Sequence, residues 1–143
     1  MVRVLQIAPS GTYIGLEAGE WCVETGRGLV LLDQPSRFMG VFPLLELTYS
    51  ETYQRVRRAL EDHGISPDLA GSFPAQQLVT SALLLGSGYW KGQALRWLNE
   101  LPASATWIKP LSGICADREW SQQLRRDAKR ALAQLRQRMA QDG

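Results

Sequence analysis

Three pairs of an apolar residue followed by a basic one, Val56-Arg57, Trp90-Lys91 and Leu124-Arg125, recur at intervals of 34 residues. A fixed period of this size constrains a chain more than its composition does. Each repeat is one supersecondary unit that buries its apolar face only against its neighbours, and such stacks more often bind partners than catalyse. The match is closest between the last two copies. Setting Ser87 to Asn99 against Ser121 to Ala133 gives identity at Ser87/Ser121, Ala94/Ala128, Arg96/Arg130 and Leu98/Leu132. The earliest copy keeps only Val56-Arg57 and Leu60 in this register.

Local signals place helices around the repeated pairs. Thr48-Tyr49-Ser50-Glu51 has the form of a capping box, and Tyr53, Val56 and Leu60 give one apolar face behind it. His63-Gly64-Ile65 supplies the glycine and following apolar residue of a helix stop. Pro74 fits the first turn of a segment whose Leu78, Val79, Ala82, Leu83 and Leu85 form a broad stripe. Gly86-Ser87-Gly88 breaks that segment, with Ser87 as N-cap of a helix from Gly88 to Leu101. A short helix is expected near Pro110, and a last one from Asp117 to about Ala140, with Trp120, Leu124, Ala128, Ala131, Leu135 and Met139 on one stripe and a fraying end.

Residues 1 to about 33 carry a different pattern, of short β-rich runs punctuated by Pro9-Ser10-Gly11, Ala18-Gly19 and Gly26-Arg27-Gly28. These read as antiparallel hairpins, which need something to pack on. The expected fold class is therefore α+β. A single domain of 143 residues is expected, with a β-rich cap at residues 1–37 on helical hairpins at residues 38–143.

The residues also resemble a known family. Pro43-Leu44-Leu45-Glu46-Leu47 before Val56-Arg57-Arg58-Ala59-Leu60, and Pro110-Leu111 with Asp117 before Leu124-Arg125-Arg126-Asp127-Ala128, are similar to HEAT repeats over roughly residues 40–140. In those repeats a proline and leucines mark the first helix, an acidic residue the turn, and V-R-x-x-A the second helix. The 34-residue spacing is shorter than the usual HEAT length of about 40 to 47, and the tetratricopeptide signature W-x-x-L-G-x-x-Y is absent. The resemblance implies a protein-binding scaffold with no inherited active site.

Residue chemistry points the same way. The single histidine, His63, sits at a helix end where a cation complements the helix dipole. Cys22 and Cys115 have no C-x-x-C spacing, so two reduced thiols are expected, and no metal or cofactor. Gly26-Arg27-Gly28 precedes an apparent strand rather than the helix a dinucleotide loop requires, and Gly86-Ser87-Gly88 lacks the Gly-Lys-Ser/Thr ending of a phosphate loop.

Charge is uneven along the chain. Residues 1–116 hold nine Lys or Arg against ten Asp or Glu, whereas residues 117–143 hold seven against four. On a continuous helix Arg118, Arg125 and Arg136 fall within about 20° of one another, with Lys129 about 20° beyond. Those four residues form the candidate binding surface, although no aromatic interleaves them for base stacking. The longest apolar run, Ala82 to Leu85, is too short to span a bilayer, and the opening residues do not form a signal peptide. The expected function is a non-enzymatic protein–protein interaction module in the cytoplasm, such as an adaptor, inhibitor or immunity protein. The alternatives are a nucleic-acid binder using the basic last helix, and a small enzyme without a recognisable motif.

Overall fold

A computed structural model describes residues 1–7 and 11–142, so the expected turn at Pro9-Ser10-Gly11 falls largely outside the described residues. The chain is α+β. Four strands, β1 (Val2–Ile7), β2 (Thr12–Glu17), β3 (Glu20–Thr25) and β4 (Gly28–Leu31), form an antiparallel meander in the order β1-β2-β3-β4. Two-residue turns at Ala18-Gly19 and Gly26-Arg27 join the later strands.

Alternation gives the sheet one apolar face. Ile14, Leu16, Trp21 and Val23 are buried on it, while Arg3, Tyr13 and Glu24 share the other. On that outer face Arg3 forms a two-pronged ion pair with Glu24, with Nε 2.8 Å from Oε2, and its guanidinium lies 4.5 Å from the Tyr13 ring centre. A register shift between Arg3 and Leu5 lets Arg3 face outward opposite Gly15 while Leu5 stands opposite the buried Ile14.

Among the described residues five α-helices follow: α1 (Tyr49–Asp62), α2 (Ala75–Leu85), α3 (Gly88–Trp97), α4 (Ile108–Ala116) and α5 (Gln122–Asp142). Their ends are where local chemistry places them. Thr48 Oγ1 accepts from the Glu51 N–H at 3.1 Å, and the Glu51 carboxylate closes on the Thr48 hydroxyl rather than on its backbone N–H. The carboxylate of Glu100 also accepts from the Tyr49 and Ser50 N–H groups, placing a distant anion at the positive end of α1. Thr48→Ala is expected to cost about 1 kcal/mol in urea denaturation, since one orphan donor loses its acceptor. At the other end Gly64 takes φ +69°, and the Ile65 and Gly64 N–H groups donate to the Leu60 and Glu61 carbonyls, the two bonds of a Schellman stop. His63 Nδ1 lies 3.0 Å from the Ala59 carbonyl, a contact the Nδ1–H tautomer makes as a donor.

The identical residues Ser87 and Ser121 have the same task. Ser87 Oγ accepts from Trp90 N–H and Ser121 Oγ from Leu124 N–H, so α3 and α5 start at the same register position. α1 starts instead behind Thr48, five residues before Tyr53, the position that corresponds to Ser87. The packing differs in parallel. α2 pairs with α3 and α4 with α5, and the pairs meet through α2 with α4 and α3 with α5, whereas α1 packs on β1 and on the 3₁₀ segment Pro67–Ser72. The residues before α1, Met39–Glu46, form 3₁₀ turns that touch both α2 and α3.

Three buried tryptophans tie these layers by their indole N–H groups. Trp21 donates to Ser72 Oγ, Trp97 to the Leu47 carbonyl and Trp107 to Thr80 Oγ1. Two helix ends differ from expectation. The last helix starts at Gln122 rather than Asp117, because Asp117 Oδ1 accepts from Glu119 N–H and holds residues 117–120 in a turn. The expected helix to Leu101 is α-helical only to Trp97 and ends in 3₁₀ turns. Arg138 donates to the Leu98 and Leu101 carbonyls there and anchors the far end of α5, where fraying was expected.

Candidate functional site

A groove of about 670 Å³ lies between α2 and α4. One wall is Thr80, Leu83 and Leu84 of α2, with Lys91 of α3 at one end; the other is Thr106, Lys109, Pro110, Gly113 and Ile114. The turn before α5 adds Asp117 and Trp120. Volumes of this order accommodate a drug-sized group or a few side chains. Leu84 is 51% exposed on the rim, and beyond Gly113's chain neighbours and its own helix backbone nothing stands within 4 Å of where a side chain there would begin, which leaves the opposite wall open.

Lys91 is the unusual member. It is 4% exposed, although a lysine is almost never fully buried without a partner. Its Nζ donates to the Gly86 carbonyl at 2.7 Å, and it lies 4.6 Å from the Trp120 ring centre. The ammonium thus ties the residue after α2 to the turn before α5. Burial pushes it below the ordinary lysine value of 10.5, with Asp117 opposing that shift. A base depressed in the folded state binds fewer protons folded than unfolded, so its burial penalty fades as pH rises from the folded value toward 10.5. Urea titrations at rising pH are therefore expected to show wild type gaining stability relative to Lys91→Met. A relative loss would mean that the folded protein favours the charged form.

Sequence periodicity hides this residue. Lys91 reads as the outward partner of Trp90, yet Lys91, Ala94 and Leu98 also follow a helical i, i+3, i+7 spacing, and all three are buried while Trp90 is half-buried. That second stripe is the signal that could have found it. Trp120, expected on the stripe of the last helix, precedes α5 and is half-buried on the groove wall.

The four basic residues singled out from the sequence do not form one ridge. Arg118 is exposed in the turn between α4 and α5, outside the helix. Arg125 is half-buried, and its Nε is buried without a hydrogen-bond partner among the described residues. Lys129 and Arg136 are exposed on α5. The structure thus keeps two of the four on one exposed helical surface and turns Arg125 partly inward.

The groove's polar groups are largely occupied. Thr80 Oγ1 donates to the Gln76 carbonyl and accepts from Trp107, Thr106 Oγ1 shares a hydrogen bond with Ser104, and Asp117 Oδ1 holds its own turn. What remains is an apolar trough with ammonium groups at Lys91 and Lys109, an arrangement that holds an apolar group beside a positive end. Cys22, buried on β3, and Cys115, half-buried on α4, are free thiols and neither lines the groove. Among the described residues, no helix is long and apolar enough to cross a membrane. No family model matches the chain, and neither does any curated protein or solved structure.

Proposed function

We propose that this protein is a non-enzymatic protein–protein interaction module of the adaptor, inhibitor or immunity type, acting in the cytoplasm, whose HEAT-like paired helices hold a partner in the α2–α4 groove. The observation that carries this reading is the groove itself: an open trough with Leu84 exposed on its rim. Exposed apolar surface next to a concavity marks interaction sites. The groove's lining is mainly apolar, with Lys91, Lys109 and Asp117 as its charged groups, a composition suited to holding a partner's side chains.

Affinity capture from the native host with wild type and Leu84→Arg tests the proposal. Leu84 is exposed, so its replacement is expected to change stability by no more than about 0.5 kcal/mol. A stoichiometric partner should be retained by wild type and lose at least about tenfold in affinity for Leu84→Arg, the loss expected when a charge enters an apolar contact. Equal affinity for both would remove the groove from the account.

A second reading, nucleic-acid binding, draws on the exposed Arg126, Lys129, Arg130 and Arg136 of α5. Phosphate contacts would give binding to mixed nucleic acid that weakens steeply with salt and is lost in a Lys129→Ala/Arg136→Ala variant.

A further inference from the structure

We infer that the partner segment seated in the α2–α4 groove is an apolar peptide carrying a carboxylate, and that this carboxylate pairs with the Lys91 ammonium. The inference rests on the protein-binding reading above. A lysine ammonium has three donors, and Lys91 has one acceptor for them, the Gly86 carbonyl; the Trp120 ring covers another side without accepting a conventional hydrogen bond. Among the described residues no carboxylate forms an ion pair with Lys91, and the nearby Asp117 has one oxygen committed to Glu119 N–H. Lys91 is a buried residue whose charge is opposed only by Asp117, which forms no direct ion pair with it, and an anion brought into the groove offsets the cost of that burial.

The surroundings favour the same occupant. Lys109 adds a second positive charge to the lining, against the single acidic residue Asp117. Leu83, Leu84, Pro110 and Ile114 offer apolar contact along the trough. Charge complementarity therefore selects a negative group at the Lys91 end, with apolar side chains laid along the rest.

A phage-displayed library of random dodecapeptides, panned on the whole protein, supplies the probes. The selected peptides should share a Glu, Asp or free C-terminal carboxylate beside apolar residues. Synthetic versions with Glu→Gln, Asp→Asn or C-terminal amidation, as the shared carboxylate requires, should bind wild type at least tenfold more weakly, and Lys91→Met should bind acid and amide versions alike. Should Lys91→Met fail to fold, wild type labelled with ¹³C-lysine keeps the test: the Lys91 ε-methylene resonance should move with the acidic peptide and stay in place with the amide. Peptides that depend on Leu84 but lack a common carboxylate, or that lose less than twofold on amidation, overturn this inference and leave the groove reading standing. Peptides that bind Leu84→Arg as well as wild type overturn both. A dimer in sedimentation that Leu84→Arg converts to monomer would place a second copy in the groove and overturn the peptide assignment.

Discussion

Trp97→Ala is expected to lower the unfolding free energy by about 3–5 kcal/mol, the range for deleting a large buried aromatic side chain. Trp97 is fully buried, its ring centre lies 5.6 Å from that of Tyr49, and its Nε1–H donates to the Leu47 carbonyl at 2.8 Å. Removing it opens a cavity at the end of α3 and leaves that carbonyl without its donor. Since whole domains are stable by only about 5–15 kcal/mol, the loss should be plain in urea or guanidinium denaturation. Trp97→Phe separates the two contributions: it keeps most of the packing and should lose about 1 kcal/mol from the hydrogen bond, plus a smaller packing deficit. A loss below about 1 kcal/mol for Trp97→Ala would contradict the role given to this residue in joining α3 to the start of α1.

Gly15→Ala is expected to have the second largest effect, about 2–3 kcal/mol, at the upper end of the cost of overpacking. A Cβ at position 15 would stand 2.1 Å from the Val2 carbonyl oxygen, a backbone atom that cannot rotate away. Either β1 separates from β2 or its register shift is lost. Loss of the shift would set Leu5 opposite Tyr13 instead of Ile14, moving it off the apolar face. Hydrogen exchange should show β1 amides losing protection before those of α2 and α3. Unchanged stability would mean that the close approach at Gly15 is relaxed in solution.

Which parts of this structure were legible follows from the range of the interactions that make them. The Thr48 cap, the Gly64 stop and the Ser87 cap are bonds between residues three to five apart, so residue type and spacing carry them. The N-terminal strands were legible because turn residues punctuate them. The bulge opposite Gly15 was not, since it exists only once β1 and β2 have paired. Asp117 shows how a correct local signal misleads: its side chain does accept a backbone N–H, but from Glu119 within a turn, and Ser121 takes over as the cap of α5. The groove joins residues from Thr80 to Trp120, and no local pattern brings them together. Lys91 was hidden for a related reason, because a basic residue beside a tryptophan reads as outward until the neighbouring helices close over it.

Partner docking in the α2–α4 groove is the central expectation. Hydrogen–deuterium exchange of the protein with and without its captured partner reads this most directly. Added protection is expected at residues 80–84 and 106–120, the two walls of the groove, with little change on the outward side of α5. Protection confined to the amides around Lys129 and Arg136, with the groove walls exchanging as in the free protein, would contradict it.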